Sequence, residues 1–253
     1  MAAAAASSQI LLLHRLASSQ RADAVALITR LLDMGVPADC ADASDAGFTP
    51  LASAARVGDA DVVALLLARG ASANSPTREH KNPPLFWAAA HGHEKIITLL
   101  LDANADPEAV NVQNDTALLW ACRGGQPIAL LLDAAPSSLL KSNATGMTAL
   151  ICGAAGGHAK ILQSLLERSP PQTFIDARDQ HGRNALHFAA AGEASEGASA
   201  CVAVLLAAGC DWRARDVHGR TPLGEAERCG NAQAAASLRA VYEAAADKAA
   251  EEA

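Results

Sequence analysis

A pattern of apolar and turn-forming residues recurs along the chain with a period of about 34 residues. Its clearest marker is the residue just before a short apolar run, and successive copies lie 34, 33, 32, 36 and 37 residues apart. These anchor positions are Thr49, Pro83, Thr116, Thr148, Asn184 and Thr221. Such self-similarity is typical of a solenoid, in which each unit buries its apolar face only against its neighbours. The pattern therefore predicts a function carried by an extended surface and not by a deep pocket.

Each unit is predicted to form two short helices joined by a turn. Thr49 suits an N-cap because its hydroxyl can accept a hydrogen bond from a first-turn amide, and Pro50 suits the first helical position. Leu51 and the alanines that follow it at helical spacing lie on one face. Gly58, nine residues after the anchor, can end this helix in the left-handed conformation. A second helix is predicted from Asp61 to Ala68, and a hairpin-like loop leads to the next unit.

Several units share longer runs of identical residues. One run reads D-x-x-G-x-T-P-L at Asp216, Gly219, Thr221, Pro222 and Leu223, and another reads A-L-H-x-A-A at Ala185, Leu186, His187, Ala189 and Ala190. A glycine–histidine step follows at Gly92–His93 and at Gly157–His158. In phase over six units from about residue 45 to residue 240, these runs resemble the ankyrin repeat family. The resemblance implies an all-α ankyrin-repeat solenoid of helix-turn-helix-hairpin units, with Ile10–Asp39 as a degenerate N-terminal repeat that caps the stack.

The predicted organisation is a single repeat domain over residues 10–240. A disordered Ala/Ser tail is expected at 1–9, and a C-terminal helical tail at 241–253. The units are expected near residues 10–44, 45–78, 79–111, 112–143, 144–179, 180–216 and 217–240.

Departures from the repeat predict local irregularities. The unit near residue 114 lacks two residues, so its second helix should be short, with Pro127 in the first turn. The stretch Gly192–Ser199 carries an insertion that we expect to form a mobile loop. Lys81 replaces a hairpin glycine, and because lysine adopts the left-handed region poorly, its turn should be distorted.

Composition excludes several classes of function. The chain has 253 residues, of which 51% are hydrophobic, 3% aromatic and 19% charged, which suits one continuous helical domain. Its formal charge of −7 disfavours nucleic acid and anionic membranes as partners, and no run of 18 apolar residues is present. Residues 1–22 weakly resemble a transit peptide, but Ile10–Leu16 is better explained as the start of a cap helix.

The six cysteines are spread over five of the units without a C-x-x-C pair, and only Cys201 and Cys210 share a unit. We expect all six to be free thiols, as in a reducing compartment, which favours a cytoplasmic or nuclear location. Import into an organelle through the N-terminal tail stays open.

Catalysis has little support in the sequence. The resemblance implies that His187 ties adjacent loops together, and the rings of His93 and His158 in the glycine–histidine step can bond to local backbone. His91 and His93 alone do not have metal-ligand spacing. A glycine-rich phosphate loop and a G-x-S-x-G motif are both missing. We predict a protein that is not an enzyme and needs no metal or cofactor.

The resemblance implies a partner-binding concave groove formed by the hairpin tips and the first helix of each unit. The residues of this chain predicted to line it are Phe48, Arg56, Lys81, Trp87, His91, Asp115, Trp120, Arg123, Met147, Arg183, Phe188 and Arg220. Trp87 and Trp120 occupy one slot in neighbouring units. Two interpretations of them stay open, since they either anchor a partner or merely pack between adjacent helices.

Charge at the groove positions is opposite in sign to that of the whole chain. The wider set of groove positions also includes Glu225 and Arg228. It holds two acidic residues, Asp115 and Glu225, against five arginines: Arg56, Arg123, Arg183, Arg220 and Arg228. Arginine and tryptophan are enriched where protein interfaces carry most of their binding energy. The sequence therefore predicts an acidic or phosphorylated protein segment with apolar anchors as the partner.

The predicted function is that of a scaffold, adaptor or inhibitor, monomeric on its own, which binds another protein. One alternative is an assembly chaperone, since the length and unit number resemble the ankyrin-type chaperone of the proteasome regulatory particle. Another alternative is a permanent structural subunit of a complex.

Overall fold

The computed structural model describes residues 2–42, 47–192 and 195–251, with side chains described between residues 7 and 247. The described part is all-α apart from one isolated bridge between Ser142 and Thr148. Its helices are α1 (Ala2–Ala17), α2 (Ala24–Asp33), α3 (Pro50–Val57), α4 (Ala60–Ala68), α5 (Pro84–His91), α6 (Glu94–Asp102), α7 (Ala117–Gly124), α8 (Ala129–Ala134), α9 (Ala149–Ala155), α10 (Ala159–Leu166), α11 (Gln172–Ile175), α12 (Ala185–Ala191), α13 (Glu196–Ala207), α14 (Pro222–Cys229) and α15 (Ala232–Glu251).

Five of the six anchor residues, all but Pro83, cap the first helix of their repeat through a side-chain hydrogen bond, which confirms the prediction made for Thr49. Thr49 Oγ1 accepts a hydrogen bond from the amide of Ala52 at 3.1 Å, and Thr221 Oγ1 does the same for Gly224 at 3.3 Å. Gly58 ends α3 at a φ of +87°, a conformation that glycine adopts without a Cβ clash. The alternation of cap and glycine explains why these helices are only seven or eight residues long.

The chain forms two compact units. The N-terminal unit comprises Met1–Ala121 and Gln126–Ser138, and the C-terminal unit comprises Cys122–Gly125 and Leu139–Ala253, so the division passes through α7.

Helices of the N-terminal unit pack in two layers. The first helices α1, α3 and α5 contact one another in sequence, and so do the second helices α2, α4, α6 and α8. Leu51, Leu66, Leu85 and Leu100 are almost completely buried between the layers. Truncating any one of them to alanine would cost about 2–5 kcal/mol of unfolding free energy.

The C-terminal unit repeats this arrangement. The first helices α9, α12 and α14 form one layer, and the second helices α10, α13 and α15 form the other. Leu150, Leu162, Leu186 and Leu205 fill its core. Short alanine-rich first helices allow the close approach of neighbours in both units.

The insertion at Gly192–Ser199 is not the loop that was predicted. Residues 193 and 194 lie outside the described part, but Ser195 caps α13, which begins at Glu196, so the insertion lengthens that helix. Gly197 packs so closely on Gly157 that a Cβ there would lie 2.6 Å from the Gly157 carbonyl oxygen. Ser199 is buried. The extra residues are therefore part of the packed structure.

The turn at Lys81 also differs from the prediction. Lys81 has a φ of +57°, the same left-handed conformation as the hairpin glycines Gly182 and Gly219 at +74° and +75°. The turn keeps the geometry of its counterparts, and the lysine backbone carries the strain.

Two further predictions concern helix length. Helix α8 is the second helix of the unit near residues 112–143. It has six residues and is short as predicted, but Pro127 precedes it instead of lying in its first turn. The tail predicted as disordered at 1–9 is helical from Ala2, because alanine is the strongest helix former.

Candidate functional site

Asparagine and aspartate side chains shape the hairpin tips. Asn111 Oδ1 accepts hydrogen bonds from the amides of Gln113 and Asp115, both at 2.9 Å. Asp216 Oδ1 accepts from the amides of His218 and Arg220, both at 2.8 Å. The same motif recurs at Asn143 and Asp179. It fixes the residue that precedes each anchor, which is a predicted groove position.

Three rings in the N-terminal unit form a continuous row, which we call the aromatic strip: Phe48, Trp87 and Trp120. The centroids of Phe48 and Trp87 are 4.9 Å apart, and those of Trp87 and Trp120 are 5.3 Å apart with the rings at 81°. Phe86 packs under Trp120 at 5.7 Å. All three rings of the strip are half-buried, so they pack on their neighbours and also present a face to solvent.

The two tryptophans differ in their hydrogen bonding. Trp120 Nε1 donates to Asp115 Oδ2 at 3.2 Å. Trp87 Nε1 is buried and has no hydrogen-bond partner. Both rings pack on their neighbours, as one of the two interpretations expects, and the anchoring of a partner stays a prediction.

Basic side chains lie at one end of the strip. The Arg56 guanidinium stacks over the Phe48 ring, 5.0 Å from its centroid, and is exposed. Burial, with smaller contributions from the charges of His93 and Arg56, lowers the pKa of His91. Among the described residues, no carboxylate is paired with Arg56. Lys81 is exposed at the tip of the second hairpin.

The predicted arginines of the C-terminal unit are held by carboxylates. Arg183 makes two hydrogen bonds to Asp179 Oδ2, at 3.0 and 2.7 Å, and covers the Phe188 ring at 4.3 Å. Arg220 pairs with Asp216 at 3.0 Å and with Glu225 at 3.2 Å. The positive charge expected at these positions is therefore largely neutralised within the protein.

Asp216 shows how these ion pairs are built. Burial would raise the pKa of its carboxyl group, but the amides of Arg220 and His218 and the Arg220 guanidinium hold that pKa below its usual range. Glu225, only 4% exposed, is bonded by Arg228 Nε at 2.7 Å as well as by Arg220. A buried carboxylate held in this way is structural.

Arg123 and Met147, the other predicted groove residues of the C-terminal unit, are placed differently. Arg123 is exposed, and its carbonyl oxygen lies 3.2 Å from His158 Nε2. Met147 is half-buried, and its amide donates to Asn143 Oδ1 at 2.9 Å.

Histidines link neighbouring repeats. His93 Nε2 lies 3.3 Å from the carbonyl oxygen of Arg56, which parallels the His158 contact. His187 Nε2 lies 3.1 Å from the carbonyl oxygen of Arg220, as the family resemblance implied. Asn231 replaces the histidine in the last repeat and donates to the Gly192 carbonyl at 3.1 Å. These rings bond to the backbone of the next or previous repeat, whereas the sequence suggested a local bond for the glycine–histidine step.

One cluster was not among the predicted positions. Trp212 and Tyr242 pack edge to face at 4.3 Å, and Arg213 covers Trp212 at 4.4 Å. Trp212 and Arg213 line a cleft of about 530 Å³ in the C-terminal unit. The sequence signal that could have found this cluster was the presence of two aromatic residues, Trp212 and Tyr242, outside the groove positions in a chain that is only 3% aromatic.

In the part of the chain that the structure describes, the cysteine and acidic side chains do not come together at one reactive site. The structure holds all six cysteines as free thiols, and burial raises the pKa of Cys201 to about 11 and that of Cys210 to about 12. Within the described residues, no three histidine, cysteine or acidic side chains are grouped so that they could hold a metal ion. In that same part of the chain, none of the helices has the length and apolar character needed to cross a membrane.

Comparison with known families gives a clear match. A family model described as ankyrin repeats (3 copies) matches residues 13–111, 85–179 and 127–216, which together span most of the chain.

Curated relatives share parts of the sequence. The chain is 42% identical over 80 residues (31% of its length) to the ankyrin repeat and KH domain-containing protein mask-1 of Caenorhabditis elegans. It is 35% identical over 141 residues (52%) to the E3 ubiquitin-protein ligase XBAT33 of Arabidopsis thaliana. It is 37% identical over 105 residues (40%) to the ankyrin repeat, SAM and basic leucine zipper domain-containing protein 1 of Nomascus leucogenys. These matches cover only 3%, 26% and 22% of the relatives' own lengths.

Proposed function

Because the chain belongs to the ankyrin repeat family, whose repeats are protein-interaction modules, we propose that it binds an acidic segment of another protein. The binding surface is the aromatic strip together with Arg56 in the N-terminal unit. The observation that carries the proposal is the row of half-buried rings that ends at an exposed guanidinium. The protein then serves as a scaffold, adaptor or inhibitor.

The strip has the composition of a binding hot spot. Tryptophan and arginine are the residues most enriched where truncation costs most binding energy, and such residues lie in well-packed surroundings. Trp87 and Trp120 pack edge to face on each other, Phe86 packs edge to face on Trp120, and Phe48 packs at a tilt on Trp87. A partner side chain would therefore meet rings that are already ordered, which keeps the entropic cost of binding low.

Charge favours the N-terminal unit as the site for an acidic segment. Arg56 lies at the end of the strip without a carboxylate partner among the described residues, whereas Arg183 and Arg220 are already paired with carboxylates. The chain as a whole carries a formal charge of −7, so an acidic partner is repelled by most of the molecule. Local attraction at the strip would orient the partner as it approaches.

We further propose that the chain acts without catalysis in a reducing compartment, in the cytoplasm or nucleus. His93, His158 and His187 have structural bonds, and burial raises the pKa of Cys201 and Cys210, which keeps them protonated and unreactive. A test of the compartment is thiol counting on protein taken from its native source under denaturing, non-reducing conditions. Six thiols are expected, and two or fewer would contradict the proposal.

The binding proposal can be tested with the full chain and an array of acidic 15-residue peptides, each carrying one leucine, phenylalanine or tryptophan. Arg56→Glu should weaken binding, and more at low salt than at high salt, because the attraction is screened. Lys95→Glu is a matched control, since Lys95 is exposed on the second helix α6 of the same unit. Equal weakening by both variants, or no binding of any acidic peptide, would contradict the proposed function.

A further inference from the structure

Trp87 and Trp120 are a natural matched pair. They occupy the same slot in consecutive repeats, and each lies five residues after the residue that precedes its anchor. In the later repeat the residue that precedes the anchor is Asp115, whose carboxylate accepts a hydrogen bond from the indole N–H of Trp120 at 3.2 Å. In the earlier repeat it is Asn82, and the indole N–H of Trp87 has no hydrogen-bond partner.

Asn82 does not take the place of the missing carboxylate. Its side-chain oxygen accepts a hydrogen bond from Asn111 Nδ2 at 2.9 Å, in a contact where Asn82 is only 1% exposed. This oxygen has a second lone pair, but the indole N–H of Trp87 makes no hydrogen bond to it. Trp87 therefore lacks the acceptor that Trp120 has.

A buried donor without an acceptor is costly to the free protein. Most buried polar groups in native structures are hydrogen-bonded, because a group that is buried without a partner loses the hydrogen bond that it had made with water. The N–H of Trp87 is buried although the residue as a whole is half-buried, so a partner that docks on the exposed part of the ring reaches the N–H when the indole turns about χ2, a torsion with a broad profile. A partner that supplies an acceptor removes the cost.

The surroundings select an anionic acceptor. Phe48 lies between Trp87 and Arg56, with centroid distances of 4.9 Å to the indole and 5.0 Å to the guanidinium carbon. A carboxylate at Trp87 would thus lie within the field of Arg56, and Asp115 shows that this slot suits a carboxylate. Hydrogen bonds to charged groups are also stronger than neutral ones.

Building on the proposed function, we propose that Trp87 is a specificity-determining residue of the strip. Its indole N–H donates to the carboxylate of an aspartate or glutamate in the bound segment, in the way that Trp120 donates to Asp115 within the protein.

A double-mutant cycle tests this pairing. The tightest acidic peptides from the array are resynthesised with each aspartate or glutamate changed in turn to asparagine or glutamine, and measured against wild type and Trp87→Phe. For one carboxylate, the amide change should weaken binding to wild type about tenfold or more, and should have little effect on Trp87→Phe. Trp120→Phe, the matched control, should retain full sensitivity to that same carboxylate.

Unfolding by urea gives a second readout that needs no partner. Placing 3-benzothienylalanine at Trp87 keeps the ring size and removes only the N–H, so the free energy of unfolding should stay the same or rise. The same replacement at Trp120 should lower it, because the Asp115 carboxylate loses its donor.

The outcomes separate the two proposals. If acidic peptides bind but no carboxylate is coupled to Trp87, the inference about Trp87 is overturned and the proposed function stands. A clear loss of stability on removing the Trp87 N–H would also overturn it, because the donor would then have a partner in the free protein. If no acidic peptide binds, the proposed function and the inference fail together.

Discussion

In the N-terminal unit the predicted groove positions form a row of stacked rings beside an exposed Arg56, whereas in the C-terminal unit they are arginines held by buried carboxylates. From the sequence the two surfaces look similarly basic. The difference lies five residues before the anchor, where Asp179 and Asp216 both shape the hairpin and neutralise the arginine that follows. Asn111 and Asn143 shape their hairpins without a charge.

This comparison shows that a charged residue at a surface position does not by itself mark a binding site. Arg183 and Arg220 contribute to the stability of the hairpins, because each bonds to the aspartate that its own amide also bonds. Arg56 lies at the end of α3 instead of at a hairpin tip, so no hairpin aspartate is placed to pair with it.

The largest effect is expected from removing a hairpin carboxylate of the C-terminal unit. Asp216→Ala should lower the free energy of unfolding by about 3 kcal/mol, because two backbone amides and the Arg220 guanidinium lose their acceptor. Urea denaturation measures the loss. Asp61→Ala, at an exposed residue of α4, should change stability by less than about 0.5 kcal/mol. Equal effects would contradict a structural role for Asp216.

A second prediction concerns the strip itself. Trp120→Ala should weaken binding of an acidic peptide by about 2 kcal/mol if the ring is a hot spot. The variant also loses packing against Trp87 and Phe86, so circular dichroism must accompany each binding curve. Unchanged affinity of the folded fraction would show that Trp120 only packs. Phe188→Ala, in the C-terminal unit, should leave the affinity unchanged.

The sequence predicts the repeat, the caps and the helix-ending glycines because each is a local rule with a local signal. Thr49 caps α3 and Gly58 ends it, and both roles follow from the residues beside them in the chain. The insertion was misjudged for the opposite reason. The glycine and serine content near Gly197 indicated a loop, but the close approach to Gly157 that packs it is a tertiary contact invisible to local reasoning.

The candidate site was predictable in position but not in chemistry. Counting from the anchors located Trp87 and Trp120 in one slot, and the structure places their rings in contact. The pairing of Arg183 and Arg220 with aspartates four residues earlier could have been suspected from spacing alone. The lack of a hydrogen-bond partner for the Trp87 indole could not have been predicted, because it depends on the hydrogen bond between Asn82 and Asn111 across the hairpins.

A third prediction compares hairpins of the two units. Lys81 adopts a φ of +57° where Gly182 and Gly219 occupy the matching turns at +74° and +75°. Lys81→Gly should raise the free energy of unfolding by about 1 kcal/mol, since the left-handed strain of a side chain is removed. Lys81→Ala keeps the Cβ and should give no gain. A loss of stability in Lys81→Gly would mean that the lysine side chain contributes contacts that outweigh the strain.

The smallest effect is expected from acid. Burial lowers the pKa of His187 in the C-terminal unit, where Asp216, Glu225 and Arg178 also act on it. Its folded-state pKa is thus below the unfolded value, so its contribution to stability is present above pH of about 6.5 and is lost as the pH falls through the unfolded and then the folded pKa.

His187→Gln should therefore flatten the decline in unfolding free energy between about pH 7.5 and about pH 5.5, about one unit either side of the unfolded histidine pKa. His14 in the N-terminal unit also has a pKa lowered first by burial, so part of the decline should remain in the variant and disappear only when both histidines are replaced. Urea denaturation across this range measures the change. A decline that is as steep in His187→Gln as in wild type would show that the ring is not held neutral between Asn184 and the Arg220 carbonyl. The contacts at 2.7 and 3.1 Å would then tolerate the imidazolium, and the link between these two repeats would be independent of pH.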